Sequence, residues 1–394
     1  MNTEGGDRLS SLSDDLVIKI LSYINTKQAI RTSILSPRWK NIWKSIPLLD
    51  LSTEDDTFDE FTRVRSSRNF DFHEFNRLLS LRNDGFHEIS RVLSSRNEIE
   101  LVSVKLSVGG YKQAFVKTVV DYAFSHNVQK MTIIWSDGWH KEIPDFLFMS
   151  QTLKDLTFIG SVPYLRQPEN KSSFDLPALT TLYLENVSLS NKNPDECGGV
   201  FFKCLTLKNL IVFKCNIDKP KRLICHSEFS KLTPENGLYS FSNVVVPHLK
   251  NLTLVDCQCY IFIYAPELSS LMFEVYCFQN FYANGLTCLE KVDFYMCPWE
   301  EDSYAVIETL QRFHNVKHLT LGLEILEVAS FVDEVTDLPS PFGQLTSLEI
   351  YPRRLDRKKN AKKVMIPKQV RNFLLGASPN ATVSIYTHAR RRKR

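Results

Sequence analysis

The hydrophobic positions of the first fifty residues fall at helical spacing. Leu16, Ile20 and Tyr23 recur three or four apart, with Val17, Leu21 and Ile24 widening the stripe. Ahead of them Ser10, Ser11, Ser13, Asp14 and Asp15 supply the side-chain oxygens that cap a helix start. A second stretch carries Ala29, Ile30, Ile34 and Leu35 before Ser36-Pro37. Proline ends one helix and suits the first turn of the next. Trp39, Ile42, Trp43 and Ile46 then repeat the spacing up to Pro47. Three short helices with this many large apolar groups cannot cover all of them within so short a segment. A partner surface is expected to cover some.

Further on the period changes twice. Residues 58–69, 72–83 and 86–97 repeat the pattern Phe-x-Glu-apolar-x-Arg-apolar-x-Ser-x-Arg-Asn at a period of 14. Fourteen residues is close to four helical turns, so each copy presents the same face. A tandem duplication of one connecting helix, with the last copy as the original, is favoured over a dedicated binding arm. From residue 99 the spacing becomes apolar-x-x-apolar-x-apolar. Ten copies run from Ile99/Val102/Val104, Val128/Met131/Ile133 and Leu153/Leu156/Phe158 to Val316/Leu319/Leu321 and Leu345/Leu348/Ile350. They stand 19 to 29 residues apart, except for one gap of 42 between Leu210 and Leu252. That gap predicts an insertion near 218–245, carried on a loop. Residues 366–375, between a Pro and Gly376, predict a short helix, and 382–386 an edge strand that caps the array.

Three of these segments resemble known families. D-R-L-S-x-L-x-D-D-L-V-x-x-I-L-S-x-I, followed by A-I-R-T-S-I-L-S-P-R-W-K-N-I-W, is similar to the F-box of plant F-box/leucine-rich-repeat proteins, from residue 7 to about 51. The family has Pro where this chain has Ser13, and Ser is itself a good N-cap, so the helix start is expected to survive. The later spacing is similar to that of leucine-rich repeats, one short strand per repeat on the inner face of an arc. The end resembles the C-terminal part of the same plant proteins, with the FBD module of relatives truncated or diverged. The expected fold class is therefore α/β. A three-helix F-box precedes a leucine-rich-repeat solenoid, a curved parallel sheet with helices or irregular segments outside. The expected divisions are a disordered 1–6, an F-box at 7–53, a helical linker at 54–98, the repeat arc at 99–352, a C-terminal cap at 353–389 and a basic tail at 390–394.

The resemblance implies a function. The F-box would dock on a Skp-family adaptor, which bridges to cullin and RING subunits of a ubiquitin ligase. Carried over by position, the adaptor anchors would be Leu9, Leu12, Leu16, Ile20, Leu21, Leu35, Trp39 and Trp43. Some of these must hold the helices together, and the sequence does not sort the two sets. The arc would bind the protein to be ubiquitinated, an unknown substrate. By the period-2 rule its outward strand positions include Ile134, Thr157, Tyr183, Glu185, Phe213, Met272, Glu274, Asp293, Tyr295, His318, Glu349 and Tyr351. A repeat scaffold whose F-box no longer engages a ligase is the alternative, and a small-molecule sensor on the same arc a further one.

Composition narrows the rest. The chain is 43% hydrophobic and 24% charged, as a folded protein is, and no run of 18 apolar residues suggests a membrane span. The opening residues carry acids and no apolar core, unlike a secretory signal. Nine cysteines without a CxxC pair fit reduced thiols better than a metal site. Cys215, Cys257 and Cys297 each follow the last apolar strand position by three, which predicts buried structural thiols. No phosphate loop, nucleophile elbow or zinc-protease motif occurs, so no enzyme, cofactor or metal is expected. Net charge is +3, but residues 345–394 hold 14 Lys+Arg against 2 Asp+Glu, and the preceding 344 hold 34 against 43. The tail Arg390, Arg391, Arg392, Lys393 and Arg394 suits nuclear import as well as a solvated terminus. No reader fold or stacking aromatics accompany it, so nucleic-acid binding is not expected. The expected location is the nucleus, the cytoplasm or both.

Overall fold

The computed structural model describes residues 11–52, 85–108, 113–135, 143–160, 169–170, 174–189, 203–217, 242–245, 248–255, 261–275, 281–284, 286–296, 303–332, 335, 338–352 and 366–386. The chain divides into two compact units, 1–168 and 169–394.

In the first unit, helix α1 (Asp14–Leu21) starts after Ser13, which holds the extended N-cap conformation without a side-chain capping bond. Asp14 and Asp15 in its first turn favour the positive end of the helix dipole. Helix α2 (Thr26–Arg31) is capped by Asn25, whose side chain accepts the Gln28 N–H at 2.9 Å. The third helical stretch read from the sequence is tighter than an α-helix. Only Ile42–Ser45 closes, as a 3-10 turn. Trp39, Ile42, Trp43 and Ile46 all enter one core with Val17, Leu21 and Ala29, and packing overrides the regular spacing.

The chain then enters strand β1 (Leu48–Leu51). After α3 (Gly85–Ser94) come β2 (Ser103–Val108), α4 (Gln113–Ser125), β3 (Lys130–Trp135) and β4 (Asp155–Gly160). The strands pair in that order, all parallel. Leu49, Val104, Met131 and Leu156 form one buried row across them. Strand β1 uses Ile46-x-x-Leu49-x-Leu51, the repeat spacing concealed at the end of the F-box match. The first repeat is Leu101/Val104/Leu106, not Ile99/Val102/Val104: Val102 is 56% exposed and Leu101 1%. Apolar residues at 99, 101, 102, 104 and 106 allow both triples, and pairing of Val104 with Leu49 and Met131 selects one.

Helix α3 coincides with the third 14-residue copy; the first two copies lie outside the described residues. Just beyond it the buried Arg96 donates from Nη2 to the Ile46 carbonyl. The Asn97 N–H donates to the Lys44 carbonyl at 3.2 Å, and its side chain to Ser45 Oγ at 2.6 Å. The end of this copy is therefore fastened to the end of the F-box.

The second unit contains β5 (Glu169–Asn170), β6 (Thr181–Glu185), β7 (Ser188–Leu189), β8 (Asn209–Phe213) and β9 (Asn216–Ile217). There follow β10 (Ser242–Val245), β11 (Asn251–Val255), β12 (Ile261–Tyr264), β13 (Ser270–Val275), β14 (Phe281–Asn284) and β15 (Lys291–Met296). Last come α5 (Ser303–Gln311), β16 (His318–Gly322), α6 (Leu323–Ala329), β17 (Ser347–Tyr351), α7 (Lys368–Leu375) and β18 (Thr382–Ile385). A parallel ladder runs β6, β8, β11, β13, β15, β16, β17, β18. Two small parallel sheets, β5-β7-β9 and β10-β12-β14, take the strands between.

Ser242–Val245, expected within a looped insertion, is thus a strand, paired to Ile261–Tyr264; residues 218–241 lie outside the described set. Along the ladder the rows from Leu182 to Leu348 and from Leu184 to Ile350 are buried, apart from slight exposure at Phe273. Strict alternation therefore turns the intervening positions to the other face. Cys215 is buried as expected, while Cys257 and Cys297 lie outside the described residues.

Candidate functional site

The F-box sorts its apolar residues into two sets. Leu21, Trp39 and Trp43 are 2%, 4% and 7% exposed and fill the segment's own core, with Leu12 half-buried against them. Leu16, Ile20 and Leu35 are 48%, 45% and 62% exposed. Leu9 lies outside the described residues. Two groups not among the position-matched anchors join the exposed set, Tyr23 and Ile34, at 82% and 89%. Helix geometry explains the division on α1. Val17 and Leu21 stand one turn apart on the inner face, while Leu16 and Ile20 stand one turn apart on the outer one, and Tyr23 follows just past the helix end.

Arg38 fastens the turn after Leu35 to the start of α1. Its guanidinium donates to the Asp14 carboxylate from Nε at 3.1 Å and Nη2 at 2.6 Å, and to the Leu12 carbonyl. The pair is largely exposed, so it contributes on the order of 1 kcal/mol at most and serves to fix geometry. What the arrangement presents is a preformed apolar surface on a segment whose core is already complete.

A second surface is the outward face of the second unit's ladder. Tyr183, Met272, Asp293 and Glu349 fall in one row across the strands, and Glu185, Phe213, Glu274 and Tyr351 in a second row two residues on. Tyr295 is paired to Glu274 in that second row, and His318 stands at the start of its strand. The Tyr183 hydroxyl donates to Glu185 Oε2 at 2.6 Å and the Tyr351 hydroxyl to Glu349 Oε2 at 3.3 Å. Tyr351 stacks on Tyr386 with centroids 4.2 Å apart. The Lys214 ammonium lies over the Phe213 ring, 5.2 Å from its centroid. Asp293 is only 8% exposed, and His318, exposed, meets Ser347 Oγ at 2.9 Å. Ile134 and Thr157, half-buried, occupy outward positions in the first unit.

Among the described residues no group of three His, Cys, Asp or Glu is placed to hold a metal ion. Burial pushes the Cys204 thiol up to about 12, so it carries no thiolate at neutral pH. No helix of the described residues is long and apolar enough to cross a membrane. The basic tail Arg390–Arg394 lies outside the described residues.

An N-terminal helical segment with an exposed apolar stripe, followed by parallel strands at leucine-rich-repeat spacing, defines an F-box/leucine-rich-repeat architecture. Comparison with known proteins agrees. The F-box domain family matches residues 9–51. An F-box/FBD/LRR-repeat protein of Arabidopsis thaliana is 26% identical over 89% of this chain and 68% of its own length. An F-box protein of the same plant is 23% identical over 84% of this chain and 93% of its own. A second F-box/FBD/LRR-repeat protein is 54% identical over 57 residues, 14% of this chain and 13% of its own length. The chain thus carries a match to the F-box domain at residues 9–51 and is similar over most of its length to F-box/LRR-repeat proteins of Arabidopsis thaliana.

Proposed function

We propose that the chain is the substrate-recognition subunit of a Skp–cullin–F-box ubiquitin ligase. The F-box binds the Skp-type adaptor, through it the cullin and RING subunits, and the repeat sheet binds the protein to be modified. The observation that carries this reading is the exposed set Leu16, Ile20, Tyr23, Ile34 and Leu35 on an F-box whose own core is already filled. Each large aliphatic group taken fully out of water contributes roughly 1.5–3 kcal/mol, and these are about half exposed or more. Covering several of them therefore yields useful affinity.

The chain itself performs no bond chemistry in this reading. It raises the local concentration of a target lysine beside the ubiquitin-carrying enzyme. A ligase of this kind would work in the nucleus, the cytoplasm or both, and the basic tail at 390–394 suits import.

The test is co-expression with a plant Skp-type adaptor followed by size-exclusion chromatography. A single peak holding both chains in equal amounts is expected. Elution of a folded chain apart from the adaptor would remove the ligase reading and leave a repeat scaffold.

A further inference from the structure

We propose that the free edge of the second unit's ladder, strand β18, takes an extended segment of a partner protein as an added strand, one with apolar residues in alternation and acidic residues beside them. The inference concerns neither the apolar stripe of the F-box nor the outward face of the ladder, and it does not rest on the ligase reading.

The buried rows of the ladder reach β18 uncovered. Val383 pairs with Leu348 and Ile385 with Ile350, so both rows continue into this strand. Leu348 and Ile350 are 0% and 1% exposed, whereas Val383 and Ile385 are 36% and 41%. The same two residues offer backbone groups. The Thr382 N–H donates to the Thr346 carbonyl and the Tyr386 N–H to the Ile350 carbonyl, both at 2.9 Å. In a parallel pair the residues between turn their N–H and C=O groups the other way, which points those of Val383 and Ile385 away from β17. Among the described residues β18 is the last strand of the ladder. The outer strand of the first unit differs: the Asp50 N–H of β1 donates to Thr26 Oγ1 of the F-box at 3.1 Å. Strand β18 also contains neither the Lys nor the Pro that guards an exposed edge against pairing.

Charge selects the occupant. Strands β17 and β18 run parallel and in register, so the chain leaves both at the same end of the sheet, where Tyr351 stacks on Tyr386. Beyond β17 the sequence carries seven Lys and Arg against one Asp within 353–363, and beyond β18 it carries five and no acid within 390–394. Lys368 and Arg371, both exposed on α7, have the same sign, and no acid occurs from 366 to 394. The topology thus attaches two separate basic runs to adjacent strand ends. A second copy of this chain would bring like charge to the same place. A nucleic acid would answer the charge, but neither the strand-like N–H and C=O groups nor the two apolar side chains. An acidic extended segment answers all three.

The experiment uses the full-length chain and a fluorescein-labelled peptide with a central Thr-Val-Thr-Ile-Thr flanked on both sides by runs of Glu, read by fluorescence anisotropy at low and high salt. Binding is expected, weakened by salt. A peptide with Lys in place of Glu should bind roughly tenfold less tightly or worse, for its charge. So should one with a central run of Pro, which has no N–H to donate. Val383→Pro removes an edge N–H that β17 does not use, and Val383→Thr/Ile385→Thr removes apolar contact while keeping strand-forming residues. Each should weaken the acidic peptide by roughly tenfold. Serine at every Lys and Arg of 353–363 and 390–394 should weaken it too and flatten the salt dependence. Circular dichroism melts establish that each variant is folded. Absent binding of the acidic peptide, or equal binding of the Pro-centred peptide or an oligothymidylate, would overturn the inference. Unchanged binding by the folded edge variants or by the serine variant would do the same. So would dimerisation of wild type in sedimentation velocity that Val383→Pro abolishes, since the edge would then hold a second copy.

Discussion

Leu16 and Val17 are neighbours in the sequence and face opposite ways. Val17 is fully buried and Leu16 is 48% exposed, so substitutions at the two kinds of site should read out differently. Trp39, 4% exposed in the same core, is expected to cost about 3–5 kcal/mol when changed to Ala, measured by urea unfolding. Leu16→Ala should cost roughly 0.5 kcal/mol or less in the same assay. The sequence showed that both sets were apolar. It did not show which side of α1 meets Trp39 and Trp43, because a stripe as wide as Leu16, Val17, Ile20 and Leu21 fits two rotations of the helix equally well. Cys204 supplies a second prediction at this scale. Its pKa is raised from 9.0 to about 12, so the folded state keeps a proton that the unfolded chain releases. The stability from that protonated thiol is fully present below about pH 9 and lost as pH rises toward 12, and the alkaline slope should become shallower in Cys204→Ala. Peptide-resolved alkylation at pH 8 should label the exposed Cys288 and leave Cys204 and Cys215 unmodified until the protein unfolds.

Elements were legible where their period repeated. The L-x-x-L-x-L spacing located the ladder strands because each buries its second and fourth residues against the same core. It missed β1, whose apolar triple closes the F-box, and slipped by two at β2, where five apolar positions in eight residues offer two registers. It also read Ser242–Val245 as loop, since the strand belongs to a small second sheet and lacks the ladder spacing. The connection after the F-box has a physical anchor in α3 and the two residues fastened to Lys44, Ser45 and Ile46. Burial pushes the Arg96 guanidinium below its ordinary pKa, with Tyr122 acting in the opposite sense. Arg96→Ala removes the donor to Ile46 from a buried site. It is expected to cost about 1–3 kcal/mol in thermal or urea unfolding, and a change within error would mean that α3 docks without it.

At the scale of the whole molecule, the two surfaces differ in chemistry. In the proposed function the F-box surface, apolar and preformed, serves the adaptor, while the ladder face, with its Tyr and Glu side chains, serves the target. Composition alone had returned a net +3, which says little about either surface. The most direct measurement of the central claim is calorimetric titration of a Skp-type adaptor into the full-length chain and into Leu16→Asp/Ile20→Asp. Wild type should bind, and the variant should melt within about 2 °C of it, because both sites are half exposed. Its affinity should fall by roughly 100-fold, the loss of two apolar anchors. Equal affinity of wild type and the folded variant would contradict the claim that this stripe is the adaptor-docking surface.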